Sequence, residues 1–414
     1  MRPLTGRVQH YAWGSTDAIP QILGIPADGT PWAEYWLGAH ASAPSILDAP
    51  SDLAGSGTVL DEYLAGHAQE IGAASCGAFG PRLPYLVKIL SAGHSLSLQA
   101  HPSRAQAEAG FAAENAAGVP VDDAGRLFRD DWPKPEMIVA LTDFDALAGF
   151  RDPALSLEMI SALGAMPTVE AVLEPLHDAD PRIGLATVIR DCLTGSDRVR
   201  RALAELLDAA RAAAPQGGAD RGDPAGEIAR TAIELDADHP ADPSILAALL
   251  MNRVLLHPGQ QINQPAGIMH AYLRGTGIEI MANSDNVLRG GLTSKHIDID
   301  QLLEIADLQP REVVPADPEP LGDGIAVYRT RYPEFRLWRV TPAGPSGERG
   351  TSPVELPATD LGRIILVTSG TLICRCDQRE QEVGPGQAAW LAAGETVQVR
   401  ATEPVLAFLA APGV

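Results

Sequence analysis

Apolar and polar residues alternate through the segment Ser-Leu-Ser-Leu-Gln-Ala-His-Pro, Ser95 to Pro102. A period of two predicts a half-buried strand, with Leu96, Leu98 and Ala100 on one face and Ser97, Gln99 and His101 on the other. A hydroxyl, an amide and an imidazole in file, ending at a proline, make an unusual solvent face. Around this segment, residues 1 to about 150 mix short strand patterns with turns, as in "YAWGS", "WAEYWLGAHASAPS" and "LPYLVKIL". The stretch "HPSRAQAEAGFAAENAAG" turns helical, with Gly118 as its stop. "KPEMIVALTDFDALAGF" then predicts a strand followed by a turn or short helix.

From Arg151 to Asn252 the apolar spacing becomes helical, in "SLEMISALGAM", "GLATVIRDCL" and "DRVRRALAELLDAARAAA". Ser196 is the expected N-cap of the last of these, and residues 214–227 read as a loop between helices. Strand texture returns after Val254, is broken by a helical patch "DIDQLLEIADL", and from Val314 onward becomes nearly continuous. Many short strands between Gly and Pro turns predict a β-sandwich or jelly roll. "HPGQQI" and "VGPGQAAWL" look like weakly equivalent positions in two related barrels. The pattern therefore predicts a mainly β chain with a helical insert at 151–252. The insert interrupts a first β domain (1–150 and 253–313), and a second β domain follows at 314–414.

Composition narrows the function. A length of 414 residues with 45% hydrophobic content supports two or three packed domains. The start lacks the apolar region of a signal peptide, and no apolar run is long enough to cross a bilayer. The four cysteines, Cys76, Cys192, Cys374 and Cys376, read as reduced thiols of a cytoplasmic protein. A net charge of -22 argues against nucleic acid and against an anionic membrane surface as partners. An anionic substrate would need a locally basic site. Of 31 basic residues only three are lysine: Lys88, Lys134 and Lys295. Where arginine is the default cation, a retained lysine suggests a need for a compact charge able to release a proton.

The candidate chemistry gathers near those lysines. Gln99 and His101 share a strand face, Lys134 and Glu136 precede an apolar run, and His270 lies far downstream in "GIMHAYL". Two imidazoles, a carboxylate and an amide oxygen suit Zn²⁺ or a similar divalent ion. With a neutral amide among them, the ion keeps net positive charge for polarising a carbonyl or hydroxyl. Spacing alone leaves the plainer alternative open, with His101 a packed histidine and Glu136 a solvated carboxylate. Glu279 sits inside the apolar "GIEIMA", on the face of Gly277 and Met281. Asp285, Asn286, Arg289 and Lys295 follow, and Gly290-Gly291 would let backbone approach a ligand. These residues fit an anion site, an acid/base cluster or a plain surface loop.

Taken in order, "VQHYAWGS", "WAEYWLGAHASAPS", "LPYLVKIL", "LSLQAHP", "KPEMIVALTDFDALAGFR", "HAYL" and "EIMANSDNVLRGGLTSKHID" resemble the motifs of the type I phosphomannose isomerases. These are zinc-dependent mannose-6-phosphate isomerases of the cupin class. The resemblance implies two cupin-type jelly-roll barrels plus an all-α domain. It implies one Zn²⁺ per chain, held by Gln99, His101, Glu136 and His270. It makes Arg289 the catalytic arginine and leaves Glu279 and Lys134 as rival bases. Trp13, Ser97, Lys88, Tyr272, Asp285 and Lys295 fall around the substrate pocket. The implied partner is a small phosphosugar, and a cytoplasmic monomer in carbohydrate metabolism is expected. The chain departs from the family pattern at Pro133, at Ser294 and at Ile268-Met269, none of which removes a ligand. A non-enzymatic sugar- or metal-binding cupin would be expected to lack some ligand or pocket charge. An Fe(II) oxygenase would use two His and one carboxylate without Gln99.

Overall fold

The computed structural model describes residues 1–48, 57–213, 223–342 and 353–414. The fold is mainly β with a helical region, as the pattern predicts. Three sheets stack behind one another. A ten-stranded sheet runs Met251–Leu256, Phe144–Phe150, His270–Ala282, Tyr85–Ala92, Glu34–Gly38, Arg7–Gln9. Leu98–Ala100, Glu136–Ala140, Gln261–Gln264 and Leu288–Gly291 join it off this row. A nine-stranded sheet joins six strands of the C-terminal part to the N-terminal strands Arg2–Thr5, Ile46–Leu47 and Thr58–Val59, and a four-stranded sheet follows it.

Each layer has its own core. Tyr35, Val87, Ile89, Val139 and Ile280, on the back of the first sheet, pack against Ile364, Leu366, Trp390 and Phe408 of the second. Ile365, Val367, Leu391 and Leu409, on the other side of that second sheet, pack against Leu372, Val397 and Val399 of the third. Helices of the insert form one core with Leu98, Ala100, Met269, Ala271 and Leu288. The insert is thus a packing block behind the strand that carries Gln99.

The structure revises several expected boundaries. After Glu136–Ala140 the chain turns into a second strand, Phe144–Phe150, rather than a helix. That strand is fixed by pairing with Met251–Leu256, which begins before the expected Val254. Asp223 caps a helix starting at Pro224, so residues 224–227 are helical, and the rest of the expected loop, 214–222, lies outside the described residues. Ser196 Oγ accepts from Val199 N at 3.4 Å, as an N-cap does. The first strand, Arg2–Thr5, expected in the first β domain, pairs instead with Ala388–Leu391 in the nine-stranded sheet. Its alternation fits either sheet, and only tertiary pairing selects one.

The two segments singled out as equivalent adopt the same turn. In His257-Pro258-Gly259-Gln260 and in Gly384-Pro385-Gly386-Gln387, Gly at the third place has positive φ, 93° and 74°. The Gln side chain returns to the first residue's N–H, at 3.0 Å from His257 and 2.9 Å from Gly384. Pro second and Gly third suit a type II turn. Each turn feeds a strand, Gln261–Gln264 in the first sheet and Ala388–Leu391 in the second.

Candidate active site

The expected alternation holds only within the strand Leu98–Ala100, where Leu98 and Ala100 are buried against the helices and Gln99 is half-buried on the other side. Leu96 precedes the strand and, contrary to the expected shared face, packs with Leu90, Ile138 and Tyr272. Backbone register places Gln99 between two strands, opposite His270 on one and Arg289 on the other. Cross-strand partners send side chains to the same face, about 5 Å apart at Cβ. One row across the sheet therefore carries Arg289, Gln99 and His270.

His101 and His270 converge on Glu136. Nε2 of His101 lies 3.3 Å from Glu136 Oε1, and Nε2 of His270 lies 3.2 Å from Oε2. The other ring nitrogens are engaged: Nδ1 of His101 donates to the Asn286 carbonyl at 2.8 Å, and Nδ1 of His270 to the Ile268 carbonyl at 2.9 Å. Both Nε2 lone pairs are thereby aimed inward, the arrangement a metal-ligating histidine needs. Burial lowers the His101 pKa to about 4, so its imidazole is neutral. Burial opposes the charge on Glu136, but the carboxyl is nevertheless held well below its usual range, beside the Lys134 ammonium. All three side chains are buried, and His101 Nε2, His270 Nε2 and Glu136 Oε2 have no hydrogen-bond partner. Their ligand atoms lie within 4.8 Å of one another. Buried lone pairs that converge without a proton between them fit a divalent cation.

Two of the three lysines contact carboxylates of this site, and the third stands apart. Lys134 Nζ is 3.4 Å from Glu136 Oε1. Lys88 is buried between two carboxylates, 2.8 Å from Glu279 Oε2 and 3.4 Å from Glu34 Oε1. Burial disfavours its charge, but Glu279 and Glu34 prevail and its pKa is raised. Lys295 is exposed, its pKa lowered by partial burial and by the charges of Arg289 and Arg129. Burial pushes the Glu279 carboxyl up against the pull of Lys88. Trp13 is half-buried and stacks on Tyr11 with centroids 5.8 Å apart. Asp285 is exposed and faces His40, with Oδ1 3.4 Å from Nε2.

His270 and Glu279 would point to opposite faces of a regular strand, since their numbers differ in parity. The long strand His270–Ala282 resolves this with a register shift between Tyr272 and Arg274, where one extra residue is accommodated. Tyr272 packs with Leu90, Ile138 and Ala140, the neighbours of Gly277 and Glu279 on their own face. A bulge therefore lets one strand present His270 and Tyr272 before it and Glu279 after it to the same cavity. The Tyr272 hydroxyl is buried without a hydrogen-bond partner. Burial and the Glu279 and Glu136 carboxylates raise its pKa well above the usual tyrosine value.

Sequence reading missed two contributors, Glu34 and Arg129, and the part played by a third, Asn286. Glu34, whose only signal is a carboxylate in an apolar strand, accepts from Trp36 Nε1 at 2.6 Å and faces Lys88. Asn286 orients His101 through its carbonyl. Its side chain binds Arg129 N at 2.8 Å, Asp130 O at 2.8 Å and Trp132 O at 2.9 Å. Arg129 adds charge near Arg289, whose pKa is lowered by burial and by Arg129. The expectation for Gly290-Gly291 is corrected. A Cβ on Gly290 would meet Met269 at 2.3 Å and one on Gly291 would meet Ser244 at 2.3 Å. Packing against Ser244 at a φ of 127° requires Gly291, whereas Gly290 meets only the flexible tip of Met269.

A buried His–Glu–His cluster lined by lysine, carboxylate and tyrosine, on a mainly β scaffold, defines a metal-centred enzyme site. The family model described as phosphomannose isomerase type I, catalytic domain, matches residues 1–153. The mannose-6-phosphate isomerase of Salmonella typhimurium is 31% identical over 402 residues, spanning 96% of each chain. That of Escherichia coli (strain K12) is 36% identical over 306 residues, 73% of this chain and 74% of that one. A crystal structure of mannose 6-phosphate isomerase bound with zinc and yttrium superposes with a TM-score of 0.85 at 29% identity, covering both chains fully. The chain belongs to the type I phosphomannose isomerases.

Proposed function

We infer that the protein interconverts D-mannose 6-phosphate and D-fructose 6-phosphate by proton transfer through an enediol. The observation that carries this reading is the orphaned His101–Glu136–His270 cluster beside the Lys88–Glu279 pair. We assign one Zn²⁺ per chain to Gln99, His101, Glu136 and His270. When bound, the ion supplies a positive charge that polarises or orients the sugar's carbonyl and hydroxyl oxygens.

The remaining chemistry belongs to side chains. Aldose–ketose isomerisation removes a proton from carbon 2 and returns it to carbon 1, so one base must reach both. Glu279 is the better of the two candidates. Burial raises its pKa toward the working range, and Lys88 at 2.8 Å fixes the carboxylate. Lys88, pinned charged between two carboxylates, is an orienting cation. Lys134 stands beside Glu136 and serves as a positive neighbour to the substrate oxygens. Tyr272 offers its free hydroxyl to a substrate oxygen, and the Arg289 guanidinium stabilises the enediolate as charge develops. Lys295 and Ser97 are assigned to the phosphate, with Trp13 and Asp285 at the cavity mouth. Among the described residues no helix is long and apolar enough to cross a membrane. The reading carries with it a monomeric enzyme working in the cytoplasm on a small phosphosugar.

The test is a coupled assay for fructose 6-phosphate formed from mannose 6-phosphate, with and without chelator. Turnover that chelator abolishes and zinc restores is expected. A zinc-loaded protein with no turnover would rule the reading out.

A further inference from the structure

Gln264 ends the strand Gln261–Gln264, and its backbone register sets it opposite Glu136. Cross-strand partners project to the same face, so the Gln264 carboxamide leaves the sheet on the side where Glu136 meets both histidines. Ile262, two residues earlier and on the same face, packs with Leu90, Ile138 and Tyr272 of the cavity wall. Gln264 is 1% exposed. Among the described residues neither Nε2 nor Oε1 has a hydrogen-bond partner. A fully buried amide with donor and acceptor both unsatisfied is costly to the folded chain. Its neighbours Gln261 and Asn263 face the opposite way, and each reaches the Arg329 carbonyl.

Resting on the isomerase reading, we propose that Gln264 is a specificity-determining residue whose carboxamide reads a hydroxyl group of the bound sugar. A cation would satisfy only Oε1 and leave Nε2 stranded, because an amide nitrogen donates and has no lone pair to give. A hydroxyl both donates and accepts, so a sugar can satisfy both ends of the amide. In the open-chain hexose 6-phosphate, carbons 1 and 2 are occupied by the proton transfer and carbon 6 by the phosphate, which leaves the hydroxyls on carbons 3, 4 and 5. Carbon 5 adjoins the phosphate-bearing carbon, so this amide is assigned the hydroxyl on carbon 3 or carbon 4.

The experiment compares the zinc-loaded wild type with Gln264→Met and Gln264→Leu, which keep the bulk and remove the amide. Substrates are mannose 6-phosphate and its 3-deoxy and 4-deoxy analogues. Both variants should keep bound zinc, and without substrate their melting temperature should stay level or rise, because a stranded buried amide has been removed. kcat/KM for mannose 6-phosphate should fall about tenfold or more. For one of the two deoxy sugars, wild type and variants should be equal, because the partner hydroxyl is already gone. Loss of zinc in both variants would overturn the proposal by making Gln264 a metal residue. A lowered melting temperature with unchanged kinetics would overturn it by making the role structural. An equal loss on all three substrates would also overturn it. Wild-type inactivity on mannose 6-phosphate would instead sink the isomerase reading, and binding of fructose 6-phosphate by calorimetry, wild type against variants, would then decide the Gln264 question alone.

Discussion

Asn286→Ala probes how the metal histidine is held. Asn286 is fully buried, and its amide ties the loop Arg129–Trp132 to the loop that precedes Arg289. The truncation deletes three short bonds to main chain, at 2.8, 2.8 and 2.9 Å. At about 1 kcal/mol net for each, the loss is about 3 kcal/mol. Asp130 is only half-buried, so water can reach some of the released groups, which keeps the cost near that figure. Unfolding entropy of about 2.1 cal/mol/K per residue over 414 residues converts it to a melting temperature lower by about 3 °C. The Asn286 carbonyl that accepts from His101 Nδ1 stays in the chain but loses its anchor. Zinc affinity should therefore fall about 10- to 100-fold, as when the partner of a ligating histidine is disturbed. Asn286→Asp should do no better at neutral pH, because a second carboxylate would stand where Nδ2 now lies 3.1 Å from Asp130 Oδ1. Differential scanning fluorimetry and zinc titration against a competing chelator read both effects. If Asn286→Ala melts with the wild type and binds zinc equally well, the loop staple plays no part in holding His101.

Other substitutions separate the roles within the cavity. His101→Ala and His270→Ala should lose bound zinc while Gln99→Ala keeps part of it, since an amide oxygen is a weak ligand that water can replace; elemental analysis finding full zinc in both histidine variants would refute this. Arg289→Ala should retain zinc and melting temperature with kcat reduced far more than KM is raised, and a defect confined to KM would reassign it to phosphate binding. Lys134→Arg should lose at least about tenfold in kcat, roughly 1.4 kcal/mol of barrier, and steady-state kinetics equal to wild type would show that any cation serves there. Lys88→Met should strand Glu279 and Glu34 as buried carboxylates without a counter-charge, at a cost of about 3–5 kcal/mol by urea unfolding; unchanged stability would mean that the two carboxylates do not depend on it.

Much of this site was legible before any coordinates. The alternation reports a strand at Leu98–Ala100 packed on helices behind, although Leu96 falls outside it and packs on the other side. The lysines stand out against an arginine background, and two of them, Lys88 and Lys134, pair with carboxylates of the site. Other features left no such mark. The bulge in His270–Ala282 reverses the parity of the strand without a proline or an obvious irregularity in the letters, so His270 and Glu279 looked incompatible with one face. Asn286 read as an ordinary turn residue because its value lies in partners more than 150 positions upstream. Gly290-Gly291 was legible as a close approach but not as to what approaches, since Met269 and Ser244 come from other elements. Arg2–Thr5 carried a pattern that suits any sheet.

The placement of that first strand bears on how the chain is built. Arg2, Pro3 and Leu4 pair with Trp390, Ala389 and Ala388, and Leu4 also pairs with Leu47. During synthesis the early residues wait beside an unfilled position until a strand made almost 400 residues later arrives. Such distant pairing is slow to form, and the nascent molecule meanwhile carries an open sheet edge that attracts other strands. Cutting the chain near residue 313 would not yield two self-sufficient pieces. The front piece would keep Arg2–Thr5, Ile46–Leu47 and Thr58–Val59 as a small ribbon cut off from the rest of its sheet, and the rear piece would expose the edge of Ala388–Leu391. The first few residues act as a clasp that makes completion of the last sheet a condition for closing the whole enzyme.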